Sequence, residues 1–377
     1  MKKLNLKGMN EDELETFVHS VGEKKYRAAQ LYAWLYAKHA DTFDEMSNIS
    51  KEFRDLLKQT ATIEQIQLIA SNSSRKDGTT KFLFRLSDGL AIESVLIPPE
   101  KDSPSADQRL TLCVSTQVGC PLDCKFCATG TMGFTRNLTA SEILDQVIQA
   151  QRNSGRRITN IVYMGMGEPM LNYENVMKSV EITTSDRSLN ISARRITIST
   201  AGYADKIRRM ADDRRKVKLA LSLHSLDNEK RTQLMPITKK FPVNELIDSL
   251  EYYYKKTRQR PTLEYILFDG FNDRNEDIQL LARLSRRVPS KVNLIPFHSI
   301  EFTRPAGFTA SLRPASAARL EEFAQRLRAA NVTVMIRSSA GEDINAACGQ
   351  LAVREHQAER QGNAKNIASN LYSTHPL

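Results

Sequence analysis

A chain of 377 residues, 41% hydrophobic and 26% charged, can bury a substantial core in one large domain with a smaller one beside it. The amino terminus, MKKLNLKGMNEDELETF, lacks an apolar run of signal-peptide length, and no stretch reaches about 18 uninterrupted apolar residues, so a cytoplasmic protein that spans no membrane is expected. Lys plus Arg outnumber Asp plus Glu by 54 to 44, a formal charge of +10, which suits a polyanionic partner. Any one basic cluster, such as Arg156-Arg157 or Arg214-Arg215-Lys216, reads as a solvated face; only their sum suggests RNA.

Residues 1–60 read as short helices, with Phe17, Leu31, Trp34, Leu35, Phe53 and Leu56 spaced between charges, and form a small amino-terminal accessory domain. Residues 61–109 read as a β extension and linker. Ile63–Ile69, Lys81–Leu86 and Leu90–Ile97 are β-prone and joined by the hairpin signals Lys76-Asp77-Gly78 and Ser87-Asp88-Gly89, a small β element bridging two domains. Pro98–Gln108, rich in Pro, Ser and charge, is the expected linker.

From Leu110 strands and helices alternate, the pattern of a parallel sheet with crossover helices. The expected strands are Thr111–Gln117, Ile158–Met164, Arg194–Ser199, Val217–Leu223, Thr262–Phe268, Val292–Ile295 and Val332–Arg337. A capping box, Thr139 to Glu142, opens the first helix, and amphipathic segments start near Asn172, Val243, Asp273 and Ser316. Six βα units and a late strand predict an α/β fold with an open, partial barrel over 110–353 rather than eight closed units. The polar, aperiodic residues 354–377 are expected to form a flexible tail.

Five cysteines, an odd number without an export signal, argue against a disulfide framework and for metal or catalytic use. Cys120, Cys124 and Cys127 stand on one loop expected at the carboxyl end of the first barrel strand, where such folds do chemistry. A cubane held by protein alone takes four Cys ligands, so three leave one iron open. A zinc knuckle would want a fourth ligand nearby; Cys113 sits seven residues earlier on a strand, on the same face as Ser115 and Gln117, pointing to the barrel interior. After the next strand comes Gly165-Met166-Gly167-Glu168-Pro169, whose Gly167 permits close approach and whose Glu168 can accept from an ammonium group. Later strand ends offer Ser199-Thr200 and Ser222-Leu223-His224 for ribose and carboxylate groups.

The C-x3-C-x2-C spacing, with Phe126 before the last Cys, resembles the signature of the radical S-adenosylmethionine superfamily, and Gly165–Pro169 resembles its GGEP motif, which contacts the methionine amino group. Thr111–Cys120, Gly133–Leu138 and Ala346-Ala347-Cys348-Gly349-Gln350-Leu351 further resemble the RlmN and Cfr type of RNA adenine methyltransferases, over residues 12 to 353. That resemblance implies a partial (βα)6 barrel, an RNA-binding amino-terminal domain, one 4Fe-4S cluster per chain, and two molecules of S-adenosylmethionine consumed per methylation. It implies that Cys348 takes a methyl from the first, and that a 5'-deoxyadenosyl radical from the second removes hydrogen from the S-methyl group. The carbon radical then adds to adenine, Cys113 attacks the Cys348 sulfur to release product, and the resulting disulfide is reopened by cytosolic reductant.

By motif match Glu93 is the base that removes the ring proton, although in an alternating strand it would face outward. His298 stands where the family commonly has Asn after Asn293-Leu294-Ile295-Pro296-Phe297, and is the corresponding candidate cofactor contact. Gly167–Tyr173 looks like the carbon 2 enzymes rather than the carbon 8, antibiotic-resistance branch. The implied substrates are 23S rRNA at the peptidyl-transferase centre and tRNA at the adenosine 3' of the anticodon. A low-potential electron donor such as flavodoxin and action as a monomer are also expected. The rival from another class, a non-enzymatic Fe-S protein that binds RNA and senses redox state, predicts a cluster with four protein ligands.

Overall fold

The helices expected at the amino terminus are present in the computed structural model, which describes residues 3–99, 109–337 and 339–353. Strand β1 (Leu4–Asn5) pairs in parallel with β2 (Ala61–Thr62) and closes α1 (Glu11–Ser20), α2 (Tyr26–Tyr36) and α3 (Lys51–Thr60) into one unit. Helix α1 starts on a capping box from Asn10 to Glu13, with Glu11, Asp12 and Glu13 against the positive end of its dipole. Its apolar side, Leu14, Phe17 and Val18, joins Leu31, Leu35 and Tyr36 of α2 in a core continuous with the barrel.

Three antiparallel strands follow, β3 (Gln67–Ser73), β4 (Thr80–Arg85) and β5 (Ala91–Ile97), and β5 pairs antiparallel with β6 (Thr111–Cys113). Next come β7 (Gln117–Gly119), β8 (Phe134–Asn137) and α4 (Ala140–Ser154), the last opened by the expected capping box on Thr139. The alternation continues as β9 (Asn160–Tyr163), α5 (Tyr173–Thr184), β10 (Ile196–Thr200), α6 (Ala204–Asp212), β11 (Lys218–Ser222), α7 (Asn228–Leu234) and α8 (Val243–Thr257). It ends with β12 (Thr262–Leu267), α9 (Asn275–Arg287), β13 (Lys291–Pro296), α10 (Phe308–Ser311), α11 (Ala317–Ala329) and β14 (Val334–Ile336).

Strands β6, β9, β10, β11, β12, β13 and β14 lie side by side in parallel, in chain order, so the expected open barrel of six βα units and a late strand is what forms. Parallel strands covered on both faces read as apolar runs, and Leu263, Tyr265 and Leu267 of β12 are fully buried, each side chain contributing about 1.5–3 kcal/mol of hydrophobic stabilisation. No helix among the described residues is long and apolar enough to cross a membrane.

Three expectations need correction. The β element is not a bridge between domains: β3, β4 and β5 continue the barrel sheet beyond β6, making ten strands in one sheet. The first of them is Gln67–Ser73 rather than Ile63–Ile69, because Ile66 is buried and gives its N–H to Asp145 Oδ2 at 2.7 Å instead of to a ladder. Thr111–Gln117 is broken after Cys113, because side chains take over: Ser115 N–H donates to Gln146 Oε1 at 2.8 Å, and Ser115 Oγ to the Glu93 carbonyl. Helices α6 and α7 carry no start signal that the sequence reading used. Of the expected linker, residues 100–108 lie outside the described residues, as does the expected tail, 354–377.

Candidate active site

The three-cysteine loop leaves the sheet at Gly119, where φ is +74° and an added Cβ would lie 1.8 Å from the carbonyl oxygen of Gly133. That carbonyl accepts the N–H of Cys120 at 2.8 Å, so the β7–β8 hairpin fixes where the loop begins. Inside the loop the N–H of Cys127 donates to the Cys124 carbonyl at 3.1 Å, and the N–H of Lys125 to the Leu234 carbonyl at 2.9 Å, which pins its outer side to the end of α7. Burial pushes the Cys120 thiol up to about 12 and raises Cys124 and Cys127 as well. Such thiols become thiolates only beside a compensating positive charge, which iron supplies.

All three thiols line one cavity of about 150 Å³ together with Gly167, Glu168, Ser199, Ser222 and His224. Among the described residues no group of three or more His, Cys, Asp or Glu side chains is gathered as a site for a single metal ion. The donor set fits a cluster with an organic co-ligand: the lining combines three soft sulfur donors with buried oxygen atoms, including Glu264 Oε2, which has no hydrogen-bond partner. The site therefore has groups for iron and spare polar groups for a small zwitterion.

Glu168 lies beyond the end of β9 and lines the cavity, its two oxygens accepting the N–H groups of Met170 at 3.0 Å and Ala201 at 2.8 Å. Burial still pushes its carboxyl up to about 7. His224 accepts the Ile266 N–H on Nδ1 at 3.0 Å and packs edge-on against Phe126, ring centroids 4.6 Å apart. Burial lowers it to about 3, so the ring is neutral, and the acceptor role of Nδ1 assigns its proton to Nε2. Leu223 departs from expectation: its side chain is buried, lines neither cavity, and its carbonyl is taken by Arg231 Nε at 3.1 Å.

A second cavity of about 70 Å³ is lined by Cys113 and Cys348, both free thiols. Met164, Ile295, Arg337, Cys348 and Gly349 line both cavities, so the two adjoin across Cys348. Burial raises Cys113 to about 12. Cys348 and Cys113 lie near the half-buried guanidinium of Arg337, which stands 4.0 Å from Glu264 Oε2 and is held in its charged form.

Two further predicted site residues lie elsewhere than expected. His298 lines the Cys113–Cys348 cavity and not the cluster cavity, its Nδ1 3.4 Å from Glu342 Oε1, because the chain after β13 turns toward the carboxyl-terminal segment. Glu93 does not face outward. It is 1% exposed, because β5 is covered on one face by α4, through Ser94 and Gln146, and on the other by the segment carrying Cys348. Its carboxylate lies 3.2 Å from Lys81 Nζ and accepts the N–H of Ala352 at 3.0 Å, and it lines neither cavity.

Three site residues escaped the sequence reading. Glu264 interrupts the apolar run Leu263–Leu267, and a lone carboxylate in a buried strand was the available signal. Arg337, at the end of the last strand, gave only the strand-end cue. Arg231 gave none: it is fully buried on α7, and its guanidinium donates to the carbonyls of Ala201, Ser222 and Leu223 and to the hydroxyl of Thr238.

The family model of the ribosomal RNA large subunit methyltransferase N-terminal domain matches residues 4–63, and that of the radical SAM superfamily matches residues 114–282. A protein of Christiangramia forsetii named a probable dual-specificity RNA methyltransferase RlmN is 44% identical over 355 residues, covering 93% of this chain and 97% of that one. One of the same name from Thermotoga maritima is 44% identical over 351 residues, covering 93% and 98%. The crystal structure of a radical SAM methyltransferase from Sphaerobacter thermophilus superposes with a TM-score of 0.82 at 40% identity, over 92% of this chain and 99% of that one. With both domain types, near-full-length relatives and the cysteine geometry in agreement, the chain belongs to the RlmN family of radical SAM enzymes.

Proposed function

We propose that this chain is an S-adenosylmethionine-dependent RNA methyltransferase that forms 2-methyladenosine in 23S rRNA and in tRNA. The observation that carries the reading is the adjacency of the two cavities: Cys348 lies on the wall shared by the cavity of Cys120, Cys124 and Cys127 and the cavity of Cys113. A thiol in that place can receive a group on one side and deliver it on the other.

Cys120, Cys124 and Cys127 would hold a 4Fe-4S cluster, and Glu168, Ser199, Ser222 and His224 the S-adenosylmethionine beside it. When bound, these supply a methyl group and, on reduction by a flavodoxin-like donor, a radical able to take hydrogen from carbon. Carbon 2 of adenine is electron-poor and does not attack a sulfonium methyl itself, which is why a thiol carrier is needed. Cys348 accepts the methyl on sulfur and presents its carbon to the base. The resemblance gives the removal of the ring proton to Glu93, whose carboxylate would first have to leave Lys81 Nζ and the Ala352 N–H. The Cys113 thiolate attacks the Cys348 sulfur, the S–S bond forming as the C–S bond to the adenine-borne carbon breaks, and that carbon takes a proton to become the methyl group. A cytosolic dithiol returns the two electrons that reopen the disulfide. The adenosine must leave its stack to reach the cavity, and a monomer working in the cytoplasm suffices.

In vitro turnover with 23S rRNA fragments and tRNA, followed by nucleoside mass spectrometry, tests the assignment. The expected product is 2-methyladenosine; 8-methyladenosine, or no methylated adenosine from a cluster-loaded chain, overturns it.

A further inference from the structure

The segment carrying Cys348 has little regular structure of its own: Gly341, Asn345 and Gly349 all have positive φ. Its place is set by side chains. Asp77, in the turn between β3 and β4, accepts the N–H of Gly341 on Oδ2 at 2.8 Å, and a Cβ added to Gly341 would lie 2.8 Å from Thr79 Cγ2. Lys81 on β4 donates from Nζ to the carbonyl of Asn345 at 3.2 Å and lies 3.2 Å from Glu93 Oε1; the two are diagonal neighbours on the β4–β5 ladder. Glu93 in turn accepts the N–H of Ala352. On the opposite side the cluster loop grips the same segment, the N–H of Ala128 donating to the Gly349 carbonyl at 2.6 Å and Thr129 Oγ1 to the Leu351 carbonyl at 2.6 Å. Cys348 is thus suspended between the β extension and the cluster loop.

Lys81 is 8% exposed, and a lysine is that deeply buried only when its ammonium is paired. It lines neither cavity, so it does not touch the reacting sulfurs. We propose that Lys81 is a positioning residue for the methyl-accepting thiol: held by Glu93, it fastens the Asn345 carbonyl and so sets Cys348 opposite Cys113 across their shared cavity. The inference rests on the reading of Cys113 and Cys348 as a working pair.

The test uses the cluster-loaded chain treated anaerobically with diamide, which takes two electrons and two protons from a pair of thiols, closing an S–S bond and becoming the hydrazine. The rate at which the Cys113–Cys348 linked peptide appears is read by mass spectrometry, beside iron content and melting temperature. Lys81→Met is expected to slow linkage roughly tenfold with iron retained, and Lys81→Arg to stay near the wild-type rate, as for loss and rescue of one charge-assisted hydrogen bond. Because Lys81→Met takes a cation away from the buried Glu93 carboxylate, Lys81→Met/Glu93→Gln is measured beside it and is expected to be equally slow. A merely destabilised chain would expose its thiols and link faster. Wild-type linkage in either folded Met variant overturns the positioning role. No linkage in the wild type overturns the cysteine-pair reading itself and the inference with it.

Discussion

Glu168 and Ala201 are joined by a 2.8 Å hydrogen bond from the Ala201 N–H to Glu168 Oε2, so one buried carboxylate ties the loop after β9 to the loop after β10. The next pair of strand ends is tied by a buried cation in the same manner. Arg231 reaches back from α7 to the carbonyls of Ala201, Ser222 and Leu223. The cavity wall is therefore stitched across strands by side chains, where backbone ladders have ended.

Arg231→Met keeps volume but strips donors from three carbonyls and the Thr238 hydroxyl. Buried acceptors left unpaired give an expected loss of roughly 3 kcal/mol in stability. Denaturant unfolding of the ligand-free chain measures it; a loss under about 0.5 kcal/mol would refute the brace.

Gly119→Ala places a Cβ against the Gly133 carbonyl that Cys120 needs, at a backbone angle L side chains rarely adopt. The β7–β8 hairpin must open and Cys120 must move. We expect reconstituted iron and sulfide per chain to fall to less than about half of wild type at a strain cost of roughly 2 kcal/mol. Iron content at the wild-type level would show that the hairpin does not set the loop.

Asp77 carries a pH dependence. Burial works against its charge, yet N–H groups of Gly341 and Thr79 and the hydroxyls of Thr79 and Ser74 together hold its carboxyl below the ordinary range. A carboxyl depressed in the folded state contributes stability above its unfolded pKa, about 3.9, and loses it as pH falls through the lower folded value. Hydrogen-exchange protection of the peptide holding Gly341 should thus be level through neutral pH and fall below about pH 4. In Asp77→Asn it should be lower at neutral pH and lack that acid-side drop.

Lys7 and Asp145 form a buried ion pair between the amino-terminal unit and α4, and Asp145 also takes the Ile66 N–H. Lys7→Met leaves the carboxylate buried without its cation, at an expected cost of roughly 3–5 kcal/mol. Limited proteolysis should then release residues 3–62 ahead of the barrel. Cleavage at the wild-type rate would mean the pair does not anchor the unit.

Much of the fold was legible because it is written in local chemistry. The capping box at Thr139, the hairpin signals at Asp77 and Asp88, and the apolar strands from Ile158 onward each carry their cause within a few residues. So do the three cysteines of the loop, whose spacing resembles the radical SAM signature. What the sequence determined by itself was the order of elements and the inventory of reactive groups.

Tertiary structure decided which of those groups meet. Cys113 and Cys348 are 235 positions apart, and nothing local brings them to one cavity. Glu93 read as an outward residue because alternation describes one strand, whereas its burial comes from α4 and from the carboxyl-terminal segment laid over β5. His298 moved to the thiol cavity for the same reason: the turn after β13 answers to its distant packing partners. Spacing along a chain fixes what a loop can bind; contacts across the sheet fix where a thiol points, and that second decision sets the chemistry.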